Sequence, residues 1–146
     1  MLWIQKATPK KEFNDVRVAY SKDKLTFTFT SNALNRIFAD TSYQNMIIGI
    51  QYDLSYIQIF FKPEKSSIGY AVNRHSNNSG CVTISQTRIS ECLGDLQPNF
   101  QDPLFDVDGY ELKLKKAEMP EDEDLYYISI SHLPPIHTVT YNTNII

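Results

Sequence analysis

Hydrophobic and polar residues alternate in short runs along most of this chain, a pattern typical of half-buried β-strands. Val16–Tyr20 and Leu25–Phe29 alternate with a period of two, and the polar segment Ser21–Lys24 between them predicts a turn, so the two runs are expected to form a hairpin. The Ile-rich runs Met46–Ile50 and Ile57–Phe61 predict a second hairpin that is buried on at least one face. The pattern therefore predicts a β-rich fold.

A short helix is predicted after each of two strands. Thr30 or Ser31 can cap the first helix and Ser85 the second, because a hydroxyl oxygen at this position accepts a hydrogen bond from the free amides of the first turn. Gly94 follows the second helix at a place where a left-handed residue is favoured. The apolar residues of each helix fall on one side, namely Leu34, Ile37 and Phe38 in the first and Ile89, Cys92 and Leu93 in the second.

The same pattern occurs twice, at a constant offset of 55 residues and without a gap. Phe27–Thr30 aligns with Val82–Ser85, and the apolar helix positions align as well, in pattern more than in identity. Each copy is a strand, a short helix and a hairpin, a unit too small to bury its own apolar face, so the two copies are expected to pack together. The predicted fold is a β-rich α+β domain over residues 1–146, barrel-like or sandwich-like. It contains two pseudo-symmetric strand-helix-hairpin repeats over about 16–62 and about 70–117, then a closing strand and tail over 125–146.

The second copy has its own strand and turn signals. Ile68–Val72 is expected to open it as a strand. Asp108–Gly109 is the strongest turn signal in the chain and is expected to join Leu104–Val107 with Tyr110–Lys115 as a hairpin. Leu125–Ser131 is expected to be the closing strand.

The tail after Pro134 and Pro135 contains the strand-like segment Thr138–Tyr141 and an apolar end, Ile145 and Ile146. This end is expected to dock either on the body of the protein or on another subunit. A homodimer through the C-terminal tail is therefore one alternative.

The second copy resembles the swapped-hairpin unit of the AbrB-type transcription factors. The resemblance lies in Gly80–Ser85, a helix that ends at Cys92–Gly94, and a hairpin over Phe105–Lys116. Members of that family form their barrel from two chains, so the resemblance implies that a tandem duplication corresponds to such a dimer fused into one chain. Two features depart from the family: Thr30 and Ser85 stand where proline usually follows the strand, and the second copy is acidic where phosphate-contacting arginines are expected in both halves.

Length and composition fit one globular domain. The chain has 146 residues, of which 42% are hydrophobic, enough for a substantial core. There is no run of about 18 or more apolar residues, and Met1–Ala7 lacks the basic and apolar segments of a secretory signal. A cytoplasmic protein without membrane association is expected, and Cys81 and Cys92 are expected to be structural thiols, with a disulfide or a reactive thiol as the alternative.

Charge is distributed unequally between the two halves of the chain. Residues 1–75 carry ten Lys and Arg against six Asp and Glu, a net charge of +4. Residues 76–146 carry four against eleven, a net charge of −7. Such asymmetry bears on partner choice, although mutual neutralisation of the two halves is an equally simple explanation.

The leading functional hypothesis is a nucleic-acid-associated regulator that uses the basic first half. The residues expected to contact phosphates are Lys6, Lys10, Lys11, Arg17, Lys22, Lys24 and Arg36. Affinity from such contacts falls steeply with salt and carries little sequence preference. The neighbouring aromatic residues Tyr20, Phe27 and Phe29 lie on alternating strands and are expected to be core residues rather than stacking platforms.

The alternative hypothesis is a protein-binding accessory factor or inhibitor of phage type, for example one directed against a host defence protein. Its acidic second half would imitate phosphate and meet a basic host protein. The residues expected to contact this partner are Asp106, Asp108, Glu111, Glu118, Glu121, Asp122, Glu123 and Asp124. The run Glu121–Asp124 is more typical of a solvated loop than of a cation site, because it lacks the ligand spacing and glycine of a calcium loop.

No catalytic or cofactor-binding motif is present. The three histidines, His75, His132 and His137, have no Cys or His partners at metal-ligand spacing. The glycine-rich, nucleophile-elbow and zinc-protease motifs are absent, although a pair such as Cys81 with His75 could still be assembled in space. A non-enzymatic binding protein without metal or cofactor is therefore expected.

Overall fold

The computed structural model of the chain describes residues 15–40, 42–52, 56–94, 100, 110–118, 125–131 and 142–145. The strands in these ranges are β1 (Val16–Ser21), β2 (Lys24–Phe29), β3 (Asn45–Tyr52), β4 (Tyr56–Glu64), β5 (Tyr70–Ala71), β6 (Asn73–Arg74), β7 (Gly80–Ser85), β8 (Tyr110–Leu112), β9 (Lys115–Lys116), β10 (Tyr126–Ser131) and β11 (Asn142–Ile145). The helices are α1 (Ser31–Ile37) and α2 (Gln86–Leu93). Within these ranges, no helix has the length and apolar content needed to cross a membrane.

The strands form two antiparallel sheets. Sheet 1 has the order β6-β7-β2-β1-β8, and sheet 2 has the order β11-β3-β4-β10-β9. The short β5 pairs with β3 on the same side as β11, against a different part of that strand. Among the described strands neither order closes on itself, so the arrangement is sandwich-like and no closed barrel is found there. The β-rich α+β class predicted from the alternation is confirmed.

The inner faces of the two sheets meet in one hydrophobic core. Phe27 and Phe29 of sheet 1 pack edge-to-face on Phe61 of sheet 2, with ring centroids 5.3 and 5.1 Å apart. Leu34 of α1 and Ile89 of α2 are fully buried and belong to the same cluster of core residues. Burial of this shared apolar surface holds the layers together.

The β1–β2 hairpin forms as predicted, with Lys22 and Asp23 as its two-residue turn. Both residues have positive φ, 51° and 59°, the backbone of a turn whose twist matches that of the paired strands. The Gln86 backbone N–H donates to the Asp23 carbonyl at 2.8 Å. The Tyr20 hydroxyl donates to Gln86 Oε1 at 2.9 Å, so the turn is attached to the start of α2.

The predicted helix caps are confirmed. Thr30 Oγ1 accepts from the Ala33 backbone N–H at 3.2 Å, and Ser85 Oγ accepts from the Arg88 backbone N–H at 3.2 Å. Each hydroxyl satisfies an amide that has no partner within the helix. Gly94 ends α2 with φ 53°, the positive value predicted for it.

Two segments expected to be single strands instead cross from one sheet to the other. The predicted strand Ile68–Val72 is reduced to β5 in sheet 2, and the chain then passes through Val72 into β6 of sheet 1. The predicted strand Tyr110–Lys115 is divided in the same way between β8 of sheet 1 and β9 of sheet 2. At this second crossing, side chains form hydrogen bonds with both backbone groups of Leu114. Its N–H donates to the Asp15 carboxylate at 2.8 Å, and its carbonyl accepts from Arg36 at 2.9 Å. The strand ladder is therefore interrupted there.

The closing strand and the tail are confirmed in part. The predicted closing strand Leu125–Ser131 is β10, which pairs with β4. In the tail, β11 pairs with β3 of the same chain. The strand-like segment Thr138–Tyr141 and the turn at Asp108–Gly109 lie outside the described residues.

Candidate nucleic-acid interface

Sheet 2 has a buried and an outward face, because successive side chains of a strand point to opposite sides. On β4 the fully buried residues Ile57, Ile59 and Phe61 point to the core. The intervening residues Gln58 and Phe60 point outward and are only partly buried. The outward face of sheet 2 therefore carries an aromatic side chain near its centre.

Two aromatic rings meet on this face. Phe60 lies directly opposite Tyr127 of β10, and the ring centroids are 5.5 Å apart with 35° between the planes. Both side chains are partly exposed. Gly49, opposite Phe60 on the other neighbouring strand, has no side chain to place against the ring. Such a cross-strand pair stabilises the sheet, and it also presents ring surface to solvent.

Lysines lie beside the rings. Lys115 of the edge strand β9 stands opposite Tyr127 and is exposed. Lys62 is two residues beyond Phe60 on the same side of β4. Lys116 is also exposed, but it follows Lys115 directly and so points to the other side of β9. Lysine on an edge strand discourages pairing with other chains, and here it also brings positive charge to the rings.

We call the outward surface of sheet 2 around Phe60 and Tyr127 the aromatic face. Its polar border includes Gln58 opposite Ser129. The aromatic face consists of Ile47, Gln58, Phe60, Lys62, Lys115, Tyr127 and Ser129.

A carboxylate marks one end of the aromatic face. Glu64 follows Lys62 on the same side of β4. The Ser66 backbone N–H donates to Glu64 Oε1 at 3.1 Å, and this hydrogen bond holds the pKa of the Glu64 carboxyl below its usual value. Glu64 is therefore ionised at neutral pH, and within the aromatic face the region most favourable to an anion lies toward Lys115.

The basic residues predicted to contact nucleic acid occupy several separate positions. Lys22 and Lys24 come together, exposed, at the β1–β2 turn. Arg17 is partly buried in the middle of β1, where it stands between Thr28 of β2 and Glu111 of β8 in the strand register. The remaining lysines of the predicted set, Lys6, Lys10 and Lys11, lie outside the described residues.

Arg36, the last residue of the predicted basic set, is engaged within the fold. Its guanidinium donates to the Leu114 carbonyl at 2.9 Å and lies 3.7 Å from the Asp15 carboxylate. The same guanidinium lies over the Tyr126 ring, 5.6 Å from its centroid. A phosphate at Arg36 would have to compete with these three contacts.

The acidic residues predicted to contact a protein partner are mostly outside the described ranges. This applies to Asp106, Asp108, Glu121, Asp122, Glu123 and Asp124. Glu118 is exposed after β9, and Glu111 is placed on β8 opposite Arg17 by the strand register. The described part of the chain thus contains no cluster of these carboxylates.

The aromatic residues near the basic first half are core residues, as predicted. Phe27 and Phe29 are fully buried, and Tyr20 is 4% exposed. The surface rings Phe60 and Tyr127 are not identified by the sequence pattern, because Phe60 lies in the nearly continuous apolar run of β4. Strand parity is the signal that could have identified Phe60, since burial of its neighbour Phe61 sends Phe60 to the other face.

The described residues offer little other chemistry. Cys81 and Cys92 are free and partly buried. No group of three or more His, Cys, Asp or Glu side chains in the described ranges could hold a metal ion. His75 is exposed in the turn between β6 and β7.

The chain was compared with known families, with curated proteins and with solved structures. No family model matches it, and neither a curated protein nor a solved structure was found to match it.

Proposed function

We propose that this chain is a non-enzymatic binding protein that holds single-stranded nucleic acid on the aromatic face. The observation that carries the proposal is the partly exposed pair of Phe60 and Tyr127 with Lys115 directly beside it. Bases of a single strand stack on such rings, and neighbouring cations neutralise the phosphates. The proposal keeps the class predicted from the sequence, a nucleic-acid-associated regulator, and assigns its site to sheet 2.

The rings favour a single strand over a duplex. Stacking on an aromatic side chain contributes about 1–3 kcal/mol per base, and every base has a face that can stack. In a duplex the base faces are covered by their neighbours, so Phe60 and Tyr127 would gain little from it. Binding is therefore expected to prefer single strands and to show little sequence preference.

The cations contribute a salt-dependent part of the affinity. Each phosphate that a lysine neutralises on a single strand releases counterions, which contributes about 0.7 to the slope of log K against log salt concentration. Lys115 is exposed and stands opposite Tyr127, within the reach of a strand stacked on the rings. Ionised Glu64 at the other end opposes an extension of the strand in that direction.

The matched variants Lys115→Gln and Lys116→Gln test the proposal. Both lysines are exposed on the same short edge strand, and each substitution removes one charge, but only Lys115 points to the aromatic face. Fluorescence anisotropy of a labelled single-stranded oligonucleotide is measured at several salt concentrations for both variants and the wild type. Lys115→Gln is expected to lower the salt slope by about 0.7, and Lys116→Gln is expected to leave it unchanged. Absence of binding at low salt, or equal slopes for all three proteins, would contradict the proposal.

We also propose that the segments of about 16–62 and 70–117 are tandem copies of one unit. Thr30 and Ser85, which are 55 residues apart, cap the two helices in the same way. Strands β2 and β7 pair so that Phe27 lies directly opposite Val82, its equivalent at the same offset. Equivalent residues meet in this way where a two-fold axis passes between antiparallel copies. Both observations support a pseudo-two-fold axis between β2 and β7.

A further inference from the structure

A cleft opens where the chain crosses from β5 to β6. Its walls are the end of α1, the segment before β3 and the crossing itself, and its volume is about 390 Å³. This size falls within the range of small-molecule sites in proteins. The aromatic face lies on sheet 2 and contributes no residue to the cleft.

The charge of the cleft favours an anion. Arg74 is exposed and is the one charged residue among the described residues that line it. Its guanidinium lies over the Phe38 ring, 5.7 Å from the centroid. Close by, the Lys65 ammonium lies 5.0 Å from the centroid of the Tyr43 ring, but the neighbouring Asp40 carboxylate offsets its charge. Arg74 is therefore the cation that favours an anion in the cleft.

The uncharged lining favours a planar group that has both donors and acceptors. Asn35, Gln44 and Asn45 all line the cleft, and each carboxamide can donate and accept hydrogen bonds. Asn45 is held in place because its Nδ2 donates to the Ser66 carbonyl at 3.2 Å. Such amides recognise the edges of nucleobases, and a guanidinium can donate two parallel hydrogen bonds to a phosphate.

We propose that this cleft binds one nucleotide unit, with the carboxamides against the base and Arg74 at the phosphate. The unit is either a free mononucleotide or the end nucleotide of a strand. The inference does not depend on the aromatic face, because the two surfaces share no residue. Arg74 is the anchor, since it supplies the charge and a planar set of donors together.

Calorimetric titration of the purified full chain tests this inference. The probes are AMP, UMP, adenosine and inorganic phosphate, and the proteins are wild type, Arg74→Gln, Arg74→Lys, and Lys116→Gln as a control at the exposed edge strand β9. AMP or UMP is expected to bind wild type and Lys116→Gln equally, and Arg74→Gln at least about tenfold more weakly, the effect of removing a charged hydrogen bond. Arg74→Lys is expected to fall between them, because it keeps the charge and loses the plane.

Several results would overturn the inference. These are no binding of any nucleotide at millimolar concentration, binding of inorganic phosphate as tight as that of AMP, or equal binding by wild type and Arg74→Gln. Loss of mononucleotide binding in Phe60→Leu would also overturn it, by placing the ligand on the aromatic face. Unchanged thermal unfolding of Arg74→Gln, expected for an exposed side chain, shows that the variant is folded.

A second titration separates the two sources of the nucleotide. Labelled single-stranded oligonucleotides with and without a terminal phosphate are compared on wild type and Arg74→Gln. A gain in affinity from the phosphate that disappears in Arg74→Gln assigns the cleft to a strand end. Binding of mononucleotides without such a gain assigns the cleft to free nucleotides.

Discussion

Phe60 and Phe61 are neighbours on β4 that point to opposite faces of sheet 2, so the same substitution is expected to have different effects at the two positions. Leucine keeps an apolar side chain in both cases and removes only the ring. Phe61→Leu is expected to lower the free energy of unfolding without changing nucleic-acid affinity. Phe60→Leu is expected to lower the affinity and to change stability much less.

The cost of Phe61→Leu follows from its contacts. The ring is fully buried and makes two edge-to-face contacts, with Phe27 at 5.3 Å and with Phe29 at 5.1 Å. Each aromatic pair contributes about 0.5–1.5 kcal/mol beyond area burial, so losing both costs about 1–3 kcal/mol. The midpoint of thermal unfolding should fall by about 2–4 °C for each kcal/mol.

Phe60→Leu is expected to lower the affinity for nucleic acid more than the stability. Its ring is partly exposed and has one aromatic partner, Tyr127, so the same reasoning gives at most about 1.5 kcal/mol of lost stability. Loss of one stacked base costs about 1–3 kcal/mol of binding free energy. This corresponds to a decrease in affinity of about 5- to 150-fold.

Urea unfolding and oligonucleotide anisotropy, both at low salt, measure the two effects. The affinity is measured well below the unfolding midpoint of each variant, so that both are fully folded. Equal affinities for Phe60→Leu and wild type would refute the reasoning about the aromatic face. A loss of affinity in Phe61→Leu as large as in Phe60→Leu would also refute it, since the buried ring cannot touch a ligand.

Four further substitutions test the contacts of the fold. Gly80→Ala would place a Cβ 2.7 Å from Val72 Cγ1, so we expect the free energy of unfolding, measured in urea, to fall by about 1–3 kcal/mol. A stability equal to that of wild type would contradict this packing. Thr30→Ala and Ser85→Ala each remove a helix cap, and each should lower the free energy of unfolding by about 1 kcal/mol in the same assay. No loss of stability at either site would argue against that cap. Arg36→Gln should lower the unfolding free energy by about 1–3 kcal/mol and leave oligonucleotide affinity unchanged in anisotropy; a selective loss of affinity would return Arg36 to the binding site.

The elements that depend on local pattern are those that could be predicted from the sequence. The β1–β2 and β3–β4 hairpins follow from alternation, and the caps at Thr30 and Ser85 follow from a hydroxyl placed before an amphipathic segment. Gly94 has the positive φ expected after a helix. In each case residues close in sequence determine the structure.

The crossings between sheets could not be predicted, because distant residues determine them. Leu114 leaves the strand ladder since Asp15 and Arg36, far away in sequence, bind its backbone groups. The crossing at Val72 likewise depends on β3 and β7 being available as partners on different sheets. A strand pattern indicates an extended backbone, but it does not indicate which sheet the strand joins.

The position of the candidate site could not be predicted from the sequence. The unequal charge predicted a site in the first half, where Lys22 and Lys24 lie at one turn and Arg36 is held by structural contacts. The Phe60–Tyr127 pair joins strands far apart in the chain, so their meeting on one face depends on the β4–β10 register. A surface built by strand pairing has no short sequence signal.

Photo-cross-linking tests the central claim most directly, because it shows which face touches nucleic acid. A single-stranded oligonucleotide that contains 5-iodouracil is irradiated with the full-length protein, and the cross-linked peptides are identified by mass spectrometry. We expect cross-links at Phe60 or Tyr127, lost from Phe60 in Phe60→Leu. Cross-links confined to the β1–β2 turn at Lys22 and Lys24, or none under conditions where the oligonucleotide is bound, would contradict binding on the aromatic face.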